Sequence, residues 1–176
     1  MKHKNKILWI TQTAVFIALL IVLQTVTASL GNTIITGTVV NLLLIVSVMT
    51  CGLASGITVA ALSPLMAKLI GIGPFWSLIP IIAAGNIVLV LLWHFIGKKN
   101  TGRRIGAYLT ATVAAGAAKF MVLYIGIVKI AVPIFLKLPE PQASVVSGMF
   151  SVPQLITAFA GGIIALMVLP SLKKAF

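Results

Sequence analysis

Residues 7–27, 34–70, 74–96, 105–131 and 149–169 form five apolar stretches that reach or approach the length of a bilayer-spanning helix, for which roughly 20 residues suffice. They do not show the alternating ten-residue pattern of a transmembrane barrel, so helices are the reading that satisfies the backbone inside hydrocarbon. The chain is 60% hydrophobic and 8% charged, whereas ordinary soluble domains carry about a quarter charged residues. The predicted fold class is an all-alpha integral membrane protein. The first stretch follows the basic segment MKHKNK but is too long for a cleaved export signal, and further spans come after it, which makes it a retained helix. Cys51 is the single cysteine and lies in an apolar run; it reads as a packed small residue, with no partner for a disulfide or a multi-cysteine metal site.

The second stretch covers 37 residues, about 55 Å as one helix against roughly 30 Å of hydrocarbon. A break near Thr50 to Ala54, around Gly52, turns it into two short helices. Charge parity leads to the same division. Lys2, Lys4 and Lys6, then Lys98, Lys99, Arg103 and Arg104, and finally Lys173 and Lys174 are basic groups that the positive-inside tendency puts in the cytoplasm. An even number of spans must then separate the first cluster from the second, so the 34–70 segment crosses twice. The expectation is a single domain over residues 1–176 with spans at 7–27, 34–50, 54–70, 74–96, 105–130 and 149–169, both termini cytoplasmic. Lys68, Lys129 and Lys137 fall toward the outer side. The formal charge of +12 is thereby explained by orientation in the membrane, and no nucleic-acid partner is expected.

On the outer side, Thr27–Gly37 reads as a short polar loop able to lie across the mouth of a bundle. Residues 71–76 read as a tight turn with an interfacial tryptophan. Pro133–Ser144, with three prolines and Glu140, the only acidic residue, reads as a proline-restricted cap or an ordinary connection.

Lys119 is the only charged residue within the stretch from Ala107 to Ile127. It stands about 24 Å into its helix from Arg103, approaching the outer third of the membrane. A lysine at the centre of a membrane helix costs roughly 2.5–3.5 kcal/mol on insertion scales, less toward an interface. Three roles stay open: facing an anionic or carbonyl-bearing ligand, snorkelling to the headgroups, or packing against an internal acceptor. Ala107, Ala111 and Ala115 lie below it at four-residue spacing, a small-residue stripe that permits close helix packing and an inward-facing lysine. Gln154, Ala158 and Gly162 make a comparable stripe on the last helix, with Gln154 suited to a ligand or to a neighbouring helix. Asn86, near mid-membrane, floors a cavity or bonds another helix. Trp76 and Tyr124 either anchor the outer interface or stack on a ring at the pocket mouth, and Trp93 belongs to the inner aromatic belt.

No GxxxxGK[ST] sequence is present, so the chain has no recognisable means of hydrolysing ATP. One carboxylate makes no paired acid–base site, and His3 and His94 form no metal motif. Neither catalytic residues nor metal ligands are expected.

With six short helices, inward termini and TAVFIALLI in its first helix, nearly the whole chain resembles the substrate-binding S component of an energy-coupling factor (ECF) vitamin transporter. Ala14 and Ala18 match that family's Ala-x-x-x-Ala coupling motif. The resemblance implies a six-helix S-component-like bundle in a bacterial-type cell membrane, capturing a vitamin-like small molecule from outside and reorienting within the lipid. Its partners are a transmembrane ECF coupling subunit, docked on Ala14 and Ala18, and two ATP-binding cassette ATPase subunits. Those ATPases consume the ATP, and no covalent cofactor is implied. The family pocket faces outward, which by location nominates Asn32, Trp76, Asn86, Lys119, Tyr124 and Gln154. Lys119 favours a carboxylate or phosphate, though a neutral ring compound is also compatible with a lysine donor. A structural subunit of a membrane complex and a standalone secondary carrier are the competing classes.

Overall fold

A computed structural model of the protein describes residues 2–73, 75–98 and 104–175, with side chains for 7–73, 75–98 and 105–172. Every regular element among the described residues is helical: α1 (Lys2–Ala28), α2 (Thr33–Cys51), α3 (Leu53–Leu69), α4 (Ile79–Gly97), α5 (Arg104–Leu123), α6 (Glu140–Met149) and α7 (Val152–Ala175). A 3₁₀ turn, Trp76–Leu78, leads into α4, and α5 continues as a π-helical extension over Tyr124–Leu136. Five of the helical segments are long and apolar enough to cross a membrane, and α3 is a shorter apolar helix beside them. Large side chains such as Val15, Val22, Val113 and Met167 stand exposed on the outside of the bundle, an apolar exterior of the kind that faces lipid.

The long second stretch divides at Gly52, whose φ of 90° and ψ of 177° lie in a region essentially reserved for glycine. One residue there reverses the chain between α2 and α3. Helices α1 to α5 then run alternately up and down, and α7 runs alongside α2 in the same direction, with Gly37 against Thr157 and Gly161 against Asn41. Asn86 on α4 meets Ala60 on α3, Trp93 on α4 meets Tyr108 on α5, and Asn41 on α2 meets Thr157 on α7. A hydrogen bond between the Thr13 and Ser55 hydroxyls, 2.7 Å, ties α1 alongside α3 in the same direction. The start of α1, the Gly52 turn, Lys98 and the end of α7 therefore share one end of the bundle. Lys68, Lys129 and Lys137 belong to the other. Lys99 and Arg103 lie outside the described residues, as do the side chains of Lys2, Lys4, Lys6, Arg104, Lys173 and Lys174.

Packing depends on small residues. Ala111 and Ala115 on α5 are fully buried, Ala158 on α7 nearly so, and Gly161 brings α7 so close to α2 that a Cβ there would sit 2.9 Å from the Thr38 carbonyl oxygen. Large side chains fill what remains, with Leu44, Leu89 and Trp93 in the main core.

Three expectations need correction. The polar loop at Thr27–Gly37 contracts to a four-residue turn, because α1 runs to Ala28 and α2 starts at Thr33. The proline-rich stretch is mostly helical: Pro133 lies inside the π-helical extension, whose Lys137 N–H reaches back to the Val132 carbonyl, and Glu140 opens α6. Trp93 is 1% exposed and packs with its ring centroid 5.7 Å from that of Tyr108. It belongs to the core, not to an aromatic belt.

Candidate functional site

Lys119 is buried, and its ammonium donates two short hydrogen bonds, 2.6 Å to Asn41 Oδ1 and 2.7 Å to Asn86 Oδ1. The lysine does not snorkel. The alanine stripe beneath it faces the bundle interior, and the closeness this permits lets an α5 side chain reach both α2 and α4. Both acceptors are neutral amides. Among the described residues no ion pair offsets the charge, and Glu140 is exposed on α6.

The two asparagines are themselves held in place. Asn41 Nδ2 donates to Thr157 Oγ1 at 3.3 Å, and that hydroxyl donates to the Gln154 carbonyl at 3.1 Å. Asn86 Nδ2 donates to the Ala60 carbonyl at 3.4 Å. Pro64 explains why this carbonyl needs an outside donor: it stands four residues on in α3 and has no N–H to complete the helical bond. A chain of polar contacts thus links α7, α2, α5, α4 and α3 through the middle of an apolar bundle. Each amide has its oxygen turned to the cation and its nitrogen to an acceptor, which fixes the orientation of both.

Above this network lies a cavity of about 300 Å³. Lys119, Asn41 and Asn86 form its floor, and apolar side chains including Val40, Ile79 and Ile82 form much of its wall. At the end opposite Lys98 its mouth is lined by Gly31 and Asn32, by Ile72 and Gly73, and by Met149 and Phe150 at the α6–α7 junction. Pockets of this size, mostly apolar with a few convergent polar groups, suit small organic ligands. An ammonium has three N–H donors, and two are engaged, so one remains for an incoming acceptor.

The remaining nominated residues divide. Asn32 lines the mouth while capping α2, its Oδ1 accepting from the Ile34 and Ile35 amides. Gln154 also lines the cavity, and its Nε2 donates to the Met149 carbonyl at 3.2 Å, fastening the α6–α7 junction. Trp76 does not line the cavity; it is 57% exposed, and Phe75 lies on the wall in its place. Tyr124 is also absent from the wall. Its ring stacks on Phe120, centroids 5.5 Å apart, with the Lys129 ammonium over it.

Sequence reasoning missed Asn41, Phe75 and Gln24. Asn41 carried a readable signal, an amide in mid-run among aliphatic residues, as costly to bury as Asn86. Gln24 lies on α1, lines the cavity, is 5% exposed, and its buried Oε1 has no hydrogen-bond partner. Ala14 and Ala18 lie outside the site, exposed on α1.

No family model, curated protein or solved structure matches this chain.

Proposed function

We propose that the chain captures a small organic micronutrient of the vitamin class from outside the cell, as the substrate-specific subunit of an ATP-driven importer of the energy-coupling factor type. The observation that carries this reading is the Lys119 ammonium, buried at the floor of the cavity and held, among the described residues, by two neutral amides. Placing a cation in mid-membrane is costly, and a helix bundle needs none for its own packing. A substrate anion or carbonyl arriving at the remaining N–H gives the charge its use.

Orientation follows from charge. The end marked by Lys98 carries the basic clusters of the sequence, and the positive-inside tendency turns it to the cytoplasm with both termini. The cavity mouth then faces outward. Ala14 and Ala18 lie exposed on α1 beside Val15 and Leu19, a low-relief apolar face suited to a transmembrane coupling subunit. Two ATPase subunits on the cytoplasmic side would supply the energy for which this chain has no sequence motif.

The test is to reconstitute the purified chain in lipid nanodiscs, equilibrate it with a small-molecule cell extract, wash, denature and identify released solutes by mass spectrometry. One solute near unit stoichiometry, absent from folded Lys119→Met, is the expected result. A folded protein that retains no solute overturns substrate capture in favour of a structural subunit.

A further inference from the structure

Buried hydroxyls in this bundle find partners, with one exception. Thr13, Thr27, Ser47, Ser55, Thr112 and Thr157 are buried, and each takes part in a side-chain hydrogen bond, mostly to a carbonyl one turn back on its own helix. Ser63 on α3 is 3% exposed and lines the cavity, yet no hydrogen bond links its Oγ to a described residue. A serine inside a helix can bond the carbonyl four residues back; this one does not. Among the described residues, the unpartnered side-chain atoms sealed from all contact are Gln24 Oε1 and His94 Nδ1. The Ser63 hydroxyl is not sealed, and the space it opens into is the cavity. Buried hydroxyls are rarely left without a partner, so this one is available to an occupant.

Helix register places it next to the floor. The face of α3 that meets Asn86 at Ala60 continues toward the mouth through Ser63, Pro64 and Ala67, all buried and all on the cavity wall. Ser63 is three residues beyond Ala60, roughly 4.5 Å along the helix axis. A single amide, that of Asn86, separates the Ala60 carbonyl from the Lys119 ammonium. The open hydroxyl and the remaining Lys119 N–H therefore belong to the same end of the cavity. Asn41 and Asn86 each use one N–H on Thr157 and Ala60 and keep a second, which makes this end rich in donors.

Charge then selects among acceptors. Lys68 also lines the cavity, nearer the mouth, and because α3 runs toward that end its Cα–Cβ bonds lean back toward the floor. Among the described residues no carboxylate lines the cavity, and Glu140 is exposed on α6. A cleft with two cations, apolar walls and no acid focuses a positive field. A neutral carbonyl leaves that field uncompensated, whereas an oxyanion compensates it and offers several lone pairs to the clustered donors. From these placements, and resting on the capture reading above, we infer that Ser63 is a ligand-binding residue and that the ligand is an organic oxyanion, a carboxylate or phosphate on an apolar body, seated acid group inward between Lys119 and Ser63.

Calorimetry on the full chain in nanodiscs, with empty nanodiscs subtracted, compares 4-phenylbutanoate, 3-phenylpropylphosphonate and the neutral 4-phenylbutanamide. At least one of the acids is expected to bind roughly ten-fold or more tightly than the amide. Ser63→Ala should remove most of that preference while the melting temperature of the ligand-free protein holds, since no hydrogen bond is lost. Ser63→Cys, similar in size but a weaker donor, serves as a second variant if Ser63→Ala does not fold. An amide bound as tightly as both acids overturns the inference, as does an undiminished acid preference in the folded variants. A parallel fall in affinity and melting temperature also overturns it, making Ser63 a packing residue. Where no probe binds, the solute retained from cell extract decides: an acidic solute lost from Ser63→Ala supports the inference, and a neutral or cationic solute, or one the variant retains undiminished, overturns it. In any overturning case with a retained solute, capture stands and only the ligand assignment falls; if neither probe nor solute binds, both fall.

Discussion

The Lys119 ammonium lies 2.6 Å from Asn41 Oδ1, joining α5 to α2 through a cation solvated by a neutral amide. With Asn86 completing the pair of acceptors, the bundle carries a positive charge at the base of its cavity and no described counter-charge. The asymmetry of hydrogen-bond energetics makes the pair testable. Asn41→Leu leaves a charged donor short of an acceptor, whereas Lys119→Met leaves two neutral carbonyls without a donor. Unpaired buried groups cost about 1–3 kcal/mol, more when charged. Asn41→Leu is therefore expected to destabilise more than Lys119→Met, and the double variant should recover part of the loss. Unfolding of all three in one lipid or detergent system checks this, and strictly additive losses would dissociate the pair.

The helical division of the chain was legible in its apolar runs because span length is set by hydrocarbon thickness. The floor was half legible. Lys119 and Asn86 stood out as polar interruptions, but the partner a cation suggests is an acid, and Asn41, an amide, does not announce itself as a cation's acceptor. Tyr124 was misplaced for a reason the sequence contains: five residues from Lys119 at about 100° per residue put it about 140° away around the helix. Phe75 lines the wall while Trp76, opening the 3₁₀ turn, is exposed, a choice between adjacent aromatics that apolar periodicity does not register. Gln24 gave no signal, since its significance comes from the partner it does not have.

Gly161 sets the distance between α7 and α2. A Cβ at this position would stand 2.9 Å from the Thr38 carbonyl and 3.0 Å from the Leu42 amide nitrogen, both backbone atoms, and 2.8 Å from Asn41 Cβ. Side-chain rotation cannot relieve the backbone contacts. Gly161→Ala is expected to cost about 1–3 kcal/mol by overpacking and, by displacing Asn41, to weaken solute retention. Gly148→Ala meets nothing within 4 Å and should leave the melting temperature within a few degrees of wild type. Thermal melts of the two variants make the comparison.

Gly52 isolates a different cause. An added Cβ meets nothing within 4 Å, yet φ is +90°. Gly52→Ala should therefore destabilise through backbone conformation alone, by about 1–3 kcal/mol. A loss near zero in denaturant or thermal unfolding would mean that the α2–α3 turn tolerates another geometry.

Orientation is open to thiol labelling. In a Cys51→Ala background, single cysteines at Ser29 and Lys137 should react with a membrane-impermeant maleimide in intact cells, and one at Lys98 only after permeabilisation. The reverse pattern would turn the cavity mouth toward the cytoplasm and end the importer reading. On the exposed face of α1, Ala14→Trp with Ala18→Trp should prevent co-purification with a coupling subunit while solute retention by the isolated chain persists.

Pro64 connects backbone chemistry to the cavity floor. Lacking an N–H, it leaves the Ala60 carbonyl without its helical donor, and Asn86 Nδ2 occupies that carbonyl. Pro64→Ala supplies the missing donor and removes the steric push of the ring, so α3 straightens and its internal ladder closes. The Ala60 oxygen then shifts toward its own helix, and Asn86 loses the contact that keeps its Oδ1 turned to Lys119. Stability is expected to hold or rise while solute retention falls several-fold, opposite signs that general damage to the fold would not produce. Melting temperature and retained-solute stoichiometry, measured on the same nanodisc preparation, decide the matter. A parallel fall in both would mean that Pro64 serves the packing of α3, and undiminished retention would mean that Asn86 holds its orientation without the Ala60 carbonyl.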